Sequence, residues 1–324
     1  DLVVFVLGGA ALAGLAWVVS LATEAIGERF GPAATGVLQS TLGNLPELFV
    51  VLFALAAGEA VVAKTSILGS LFANALLVMG LTFVVGARRA KDGVMRFRER
   101  LPNDTATLLM LAVFIIVVLG ISDRIGDRAS EHQVAISVVG ALVLLGVYGS
   151  WLASYLRGGG GEPALEGAPG WAALGLAPAI ALLGVAGVAA ALVSEYFVDA
   201  IDGAAQDLGL SRAFIGLVIV AVAGNAVENV VGVVLAAKGR AELAVSVVKN
   251  SVAQLAAFLF PALVLLSLLF DDRLTFVASP VYVGALALTA IGLWQISGDG
   301  KATEFEGYAL IALYAVLATL AFYE

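Results

Sequence analysis

Cysteine is absent from these 324 residues, histidine occurs once, and Asp, Glu, Lys and Arg together supply only 13% of the chain. Without cysteine there are no disulfides, thiolate nucleophiles or thiolate metal sites. A globular domain carries about 25% charged residues, so so few charges cannot clothe a water-facing surface, and soluble enzymes are excluded. Basic charge is scarcer still. Seventeen Lys and Arg against 25 Asp and Glu leave a formal charge of −8, whereas phosphate backbones require a clustered basic face. Nucleic acid is excluded as a partner. The single His132 lies between Glu131 and Gln133 near a helix start and reads as a solvated loop residue rather than a proton relay. No basic n-region or cleavage site marks a signal peptide, and the sequence opens at Asp1 without an initiator methionine, which leaves room for preceding residues.

What is present is apolar: 61% of the residues, with 37 glycines. A span needs about 20 mostly apolar residues to cross a hydrocarbon layer about 30 Å thick. Ten such runs fall between charged or Gly/Pro breaks, at 2–26, 33–57, 60–86, 105–121, 132–156, 172–203, 212–237, 241–269, 276–297 and 304–323. They are continuous, without the ten-residue dyad alternation of barrel strands. The expected fold is an all-α integral membrane protein. Residues 158–170, with four successive glycines and two prolines, read as a flexible linker. The linker divides the ten spans five and five, between a first repeat at 1–157 and a second at 171–324. Because five is odd, the second half enters the membrane from the opposite side, which makes an inverted repeat the expectation.

Sliding one half over the other by 181 positions superposes Gly43 on Gly224, Asn44 on Asn225, Glu47 on Glu228, Gly58 on Gly239 and Ser70 on Ser251. Coincident Ala or Val would mean nothing in this composition; two Gly-Asn-x-x-Glu pentads do. Inverted repeats place substrate sites near the midplane, where the halves meet. For orientation, Arg29, Arg88, Arg89, Lys91, Arg96, Arg98, Arg100, Arg157, Lys238, Arg240 and Lys301 fall on one face, against Lys64, Arg124, Arg128, Arg212 and Arg273 on the other. The positive-inside rule makes the first face cytoplasmic and puts both ends of the segment outside. The 88–100 cluster reads as a topology signal rather than a lipid site.

A carboxylate at the centre of a span costs about 2.5–3.5 kcal/mol on insertion scales and is functional by default. Glu47 and Glu228 lie mid-span; Glu24 and Glu195 are read toward the cytoplasmic ends of the first and sixth spans, with Asp199 four residues after Glu195 and on the same helix face. Within each pentad, Asn and Glu are three apart and project from neighbouring positions. Pro46 cannot donate to the Leu42 carbonyl, and Gly43 and Gly224 loosen the backbone, so broken helices are expected to add carbonyl ligands. Ser70 with Asn74, and Ser251 with Gln254, offer further oxygens. This oxygen-only set suits Ca2+, which takes 6–8 ligands in flexible geometry, better than Mg2+. Without a cation the two acids repel and lose solvation, so they take up protons near neutral pH. One site that holds either a divalent ion or protons, never both, is the physical basis of an antiporter. The bland alternative is that Glu47 and Glu228 only hydrogen-bond helices together, and that Glu24, Glu195 and Asp199 are solvated at headgroup level.

Residues 23–85 and 194–267 resemble the calcium/proton exchanger (CAX) family of the cation/Ca2+ exchanger superfamily. The resemblance rests on Ala22-Thr23-Glu24, Gly43-Asn44-Leu45-Pro46-Glu47 and Leu68-Gly69-Ser70-Leu71-Phe72-Ala73-Asn74. In the second half it rests on Ser194-Glu195, Gly224-Asn225-Ala226-Val227-Glu228, and Gln254 with Pro261. It implies a Ca2+/H+ antiporter working by alternating access. Glu47 and Glu228 would be its central ligands, Asn44 and Asn225 would assist, and Ser70, Ser251, Asn74 and Gln254 would line the adjoining passages. Glu24, Glu195 and Asp199 resemble the acids of the family's cytoplasmic approach, and the first and sixth spans look like its long sliding helices. The chain departs from the pattern at Asn229, where the family usually has histidine, at a linker whose acids reduce to Glu162 and Glu166, and at Asn250-Ser251 in place of Gly-Ser. Lys249 is a further departure. Two positions from Ser251 is about 200° around a helix, so its ammonium is expected to point away from the site and to snorkel or pair with an acid, rather than to regulate the pocket.

The closest rival reading is Na+/Ca2+ exchange, because Pro46-Glu47 also resembles the sodium-coupled branch; that branch carries extra hydroxyls where Asn44 stands here. Exchange of Mn2+ is compatible with the oxygen ligands. A cation channel would need ring-like ligand sets, and an intramembrane protease a nucleophile–base or two-aspartate arrangement that is lacking. The expectation is therefore a transporter rather than an enzyme, with no cofactor. Its partners would be Ca2+, H+ and the lipid bilayer; a homo-oligomer stays open. The abundance of Ala, Gly and Val points to a prokaryotic plasma membrane.

Overall fold

The computed structural model describes residues 1–27, 42–97, 100–157 and 175–324, leaving aside the side chains of Glu24, 100–105, 155–157, Val227 and Glu228. Residues 28–41 and the expected linker at 158–170 lie outside the described residues. The first half comprises α1 (Leu2–Gly27), α2 (Leu45–Ala56), α3 (Ala60–Phe72), α4 (Met79–Arg89), β1 (Val94–Arg96), α5 (Arg100–Ile125) and α6 (Gln133–Arg157). The second comprises α7 (Leu176–Asp199), α8 (Ile201–Leu208), α9 (Arg212–Phe214), α10 (Ala221–Gly224), α11 (Ala226–Ala237), α12 (Ala241–Gln254), α13 (Phe260–Leu266), α14 (Pro280–Ser297), β2 (Lys301–Thr303) and α15 (Glu304–Tyr323). Among the described residues eight helical runs are long and apolar enough to cross a membrane, or nine when the bent pair Ile201–Leu208 and Arg212–Gly224 is counted.

That number falls short of ten for identifiable reasons. The expected second span is described only from residue 42, and its helix α2 has 12 residues. The expected sixth span ends at Asp199, and α8 turns off to meet the next run at 116°. The expected seventh span is broken at Asn225. The fold also departs from purely helical: β1 and β2 pair antiparallel, Met95 opposite Ala302, and join the loop after α4 to the loop after α14. The face carrying this ribbon is the ribbon face below; the opposite one, where α3 and α9 begin, is the Arg212 face.

Backbone irregularities recur at the spacing found in the sequence. Asn44 (φ −88°, ψ 14°) and Asn225 (φ −104°, ψ 20°) both take the sparsely populated bridge conformation. Gly58 (φ 78°) and Gly239 (φ 77°) make the left-handed turns that follow α2 and α11. Wider π-helical turns begin at Ala73, after α3, and at Leu255, after α12; a third covers Ile215–Val220. Second-half Ala226 and Val227 replace Leu45 and Pro46, yet the helix breaks there too, so the proline is not what breaks it.

Small residues set the depth of packing, as they do where lipid removes the hydrophobic drive between helices. α3 crosses the Ile215–Val220 turn, with Gly69 against the Leu217 backbone and Gly216 against Thr65. α4 crosses α15 at Gly80 and Gly307. Burial separates centre from rim: 89% of the most apolar stretch of Ala60–Arg89 is buried, against 17% in α7 and 22% in α1. α1 and α7 pack along each other, with Phe5 stacked on Phe197 at 4.9 Å. Their outward residues Leu7, Val185 and Val188 are more than half exposed. An apolar exterior of this extent requires lipid, and the chain is a multi-pass integral membrane protein.

The loops use ordinary polar chemistry. Asp127 caps the turn Arg128–His132 by accepting from the backbone N–H groups of Ala129 and Ser130, and the Ser122 hydroxyl donates to it at 2.5 Å. Those bonds hold its carboxyl below the usual carboxylate range. His132 ends that turn and is exposed, as a solvated loop residue should be.

Candidate functional site

The sequence Asn-x-x-Glu before an apolar run is also the signature of a helix capping box. Among the described residues one such box is formed: Thr303 accepts from the Glu306 N–H, and the Glu306 carboxylate accepts from the Thr303 N–H at 2.7 Å. In the pentads the same spacing serves otherwise. Asn44 and Asn225 occupy the N-cap positions of α2 and α11, but neither side chain makes the cap hydrogen bond.

The Asn225 side chain turns inward instead. Its Nδ2 donates to Ser70 Oγ at 2.8 Å and to the Ala221 carbonyl at 3.0 Å, with Glu47 Oε2 at 3.5 Å. Asn74 Nδ2 donates to Asn225 Oδ1 at 3.2 Å and to the Ser70 carbonyl at 3.0 Å. Ser70, Asn74 and Asn225 are fully buried and Glu47 is 1% exposed. Gly224 backs directly onto this carboxylate, since a Cβ there would lie 3.5 Å from Glu47 Cβ. The first glycine of the second pentad therefore abuts the glutamate of the first.

Local structure explains how an acid is held there. Glu47 lies in the first turn of α2, where unpaired backbone N–H groups favour negative charge. Across the break, Asn225 N bonds the Ala221 carbonyl at 3.3 Å and Asn229 N bonds the Asn225 carbonyl at 3.0 Å. These two bonds bridge the bend, where each backbone group left unmet in a bilayer would cost several kcal/mol. Carbonyl oxygens beside a broken helix were expected, but that the Ala221 carbonyl would take the Asn225 amide was not legible, because backbone oxygens carry no residue signal.

The other expected residues divide. Asn44 is 5%, Ser251 4% and Gln254 7% exposed, and Ser251 Oγ has no hydrogen-bond partner. Neither Ser251 nor Gln254 is hydrogen-bonded to the Ser70–Asn225 cluster. The side chains of Glu24 and Glu228 lie outside the described residues, although the backbone places Glu228 on the first turn of α11. Among the described residues no three Asp, Glu or His side chains converge as a metal cluster.

Glu195 and Asp199 require a correction. Both are exposed, and they lie at the end of α7 nearer the Arg212 face, not at the end that shares a side with the ribbon. α7 leads into α8, whose Asp202 pairs with Arg212 at 2.7 Å, and Arg212 also meets Glu59 at 3.4 Å. Glu24 lies near the C-terminal end of α1, away from Asp1, which precedes the helix and abuts Gly203. The reason is helix direction: α7 ends where α1 begins, with Phe197 on Phe5 and Gly203 against Asp1, so the last turns of the two helices lie on opposite faces. Glu59, just ahead of α3, is pushed above the usual carboxylate range by burial and by Asp202, with Arg212 opposing. On this face a cavity of about 600 Å³ is lined by Lys64, Thr65, Ser211, Arg212 and Tyr282, and no pentad residue lines it.

Lys249 needs a second correction. It points away from Ser251 as expected, but it does not snorkel: it is 3% exposed, and its Nζ donates to Ser297 Oγ at 2.7 Å. No described acid lies within ion-pair distance. Ser297 passes the bond on to the Leu293 carbonyl at 2.5 Å, so the ammonium sits at the C-terminal, negative end of α14. Lys249→Met should preserve the fold and raise its stability by about 1–3 kcal/mol, because a charge need no longer be desolvated. Melting curves of the purified protein test this, and a marked loss of stability would mean that the ammonium is needed there.

Comparison with known proteins agrees with this architecture. The sodium/calcium exchanger protein family matches residues 1–156 and 178–323. A Ca(2+)/H(+) antiporter of Aphanothece halophytica is 31% identical over 99% of this chain and 90% of its own length. The Ca(2+)/H(+) antiporter ChaA of Bacillus subtilis is 30% identical over 94% and 87%. Among solved structures, native YfkE superposes with a TM-score of 0.82 at 28% identity, covering 99% of this chain and 92% of that one. The chain belongs to the sodium/calcium exchanger protein family, on its calcium/proton exchanger branch.

Proposed function

We propose that the chain is a secondary active antiporter that exchanges Ca2+ for H+ across a membrane by alternating access. The observation that carries this reading is the Glu47 carboxylate, 1% exposed and set among Asn225, Ser70 and Asn74 where two broken helices meet. Hard cations take such oxygen ligands. Glu47 and Glu228 would share the cation, with Asn44, Asn225, Ser70 and Ser251 completing its shell; Asn74 and Gln254 would line the passages. When the cation leaves, two carboxylates cannot both stay charged in lipid, and protons replace it. No bond is made or broken, so the chain acts as a transporter without a cofactor, and its partners are Ca2+, H+ and the bilayer.

Residues 1–157 and 171–324 would be the inverted repeats, joined by the 158–170 linker. The positive-inside rule makes the ribbon face cytoplasmic, in a prokaryotic plasma membrane, as the bacterial relatives support. Glu24 would then serve the cytoplasmic approach, and Glu195 and Asp199 the opposite one. Protein reconstituted in liposomes should take up Ca2+ under an imposed pH gradient in Na+-free buffer. Uptake driven by a Na+ gradient alone, or none under the pH gradient, would overturn proton coupling.

A further inference from the structure

Hydroxyls inside helices usually bond to the carbonyl one turn back, and several in this chain follow that habit, although the buried Ser194 and Ser251 do not. Thr23 donates to Val19 O at 2.7 Å, Thr65 to Val61 O at 2.8 Å, Ser66 to Ala63 O at 3.0 Å and Thr319 to Ala315 O at 2.8 Å. Thr82, on α4, does not. Its side chain is fully buried and its Oγ1 has no hydrogen-bond partner. An unmet buried hydroxyl costs about 1–3 kcal/mol, and valine would fill the same volume without that cost.

Its position is informative. Asn74, Val78 and Thr82 follow at intervals of four, so Thr82 continues the face that carries Asn74 into the Ser70–Asn225 cluster. Across from it stands Gly232 on α11, where a Cβ would lie 3.4 Å from Thr82 Oγ1 and 3.8 Å from a Val78 methyl. Gly232 is four residues, or one turn, after Glu228. Thr82 therefore sits one turn beyond the second pentad, between the cluster and the ribbon face at which α4 ends.

We propose that Thr82 Oγ1 is a further ligand for the divalent cargo, bound in passing between the paired-pentad site and the ribbon face. A hydroxyl oxygen is a suitable neutral ligand for a hard cation, and it remains available because no protein group claims it. This rests on the antiport reading above and extends it to one side of the site.

The test uses Thr82→Val and Thr82→Ser in liposomes of defined orientation, with Ca2+ varied on one face at a time and melting curves taken for each variant. Thr82→Val should raise the half-saturating Ca2+ concentration about tenfold on the ribbon face alone, at a melting temperature equal to or above that of the parent because the unmet hydroxyl is gone, and Thr82→Ser should restore the Ca2+ constant. Wild-type constants on both faces, an equal shift on both, or a loss that serine does not rescue would each overturn the proposal. If Thr82→Val does not fold, Thr82→Ala takes its place with the same outcomes. Glu47→Gln in the same liposomes separates the two readings: wild-type flux there removes the paired-pentad site whatever Thr82 does.

Discussion

Glu47→Gln should lower pH-driven Ca2+ flux by roughly two to three powers of ten while leaving the melting temperature of the protein unchanged. Glutamine keeps the size of the side chain and its place beside Asn225, so the packing against Gly224 survives. It loses both properties that the proposed cycle uses, the negative charge and the capacity to take up a proton. Removing one partner of a buried charge pair costs about 3–5 kcal/mol, and each 1.4 kcal/mol is about a factor of ten. Flux under a pH gradient, read together with a melting curve, separates a dead site from an unfolded protein. Wild-type flux in this variant would refute Glu47 as a ligand.

Gly69→Ala should have the largest effect on stability of any single methyl added to the chain's interior. A Cβ at residue 69 would lie 2.5 Å from the Leu217 Cα and 2.6 Å from its carbonyl carbon. Both are backbone atoms of the Ile215–Val220 turn, so no side chain can swing aside. Overpacking costs about 1–3 kcal/mol, or more where the backbone must shift, and here it would wedge α3 away from the segment leading to Asn225. Gly284→Ala on α14 is the control: nothing lies within 4 Å of its added methyl, and alanine favours the helix by up to about 1 kcal/mol. Melting temperatures should fall sharply for the first and hold or rise for the second. Equal stability would show that the crossing is looser than described.

Much of the repeat was legible because lipid filters the sequence. Polar residues inside spans are costly, so the few that remain at a 181-residue spacing mark positions with a purpose. Asn44 and Asn225 do adopt the same bridge conformation, and Gly58 and Gly239 the same left-handed turn. Of the two causes expected for the breaks, Pro46 has no counterpart in the second pentad, whereas Gly43 and Gly224 stand before both. π-Helical turns were not legible: they shift hydrogen bonds from i+4 to i+5 without a residue signature. The placement of Glu195 and Asp199 failed for a geometric reason, since α1 and α7 run in opposite directions and their last turns lie on opposite faces. For Lys249, helical spacing supplied the direction in which the side chain leaves α12 but not its depth, which depends on Ser297 from a distant span.

The ribbon between β1 and β2 limits which parts of the molecule are free to move. Its ladder pairs Val94 to Arg96 with Lys301 to Thr303, and Arg88 adds an ion pair to Glu304 at 2.9 Å. Together they fasten α4 and α5 of the first half to α14 and α15 of the second. Swinging the halves apart as rigid bodies would tear this ladder open, so in the proposed alternating-access cycle the fastened spans would act as one stator. α1 and α7, little buried and packed chiefly on each other, would be the element left to shift in that cycle. At the Arg212 face, α7 is held through α8 by the half-exposed Asp202–Arg212 pair, a contact weak enough in water that the proposed cycle could release and remake it.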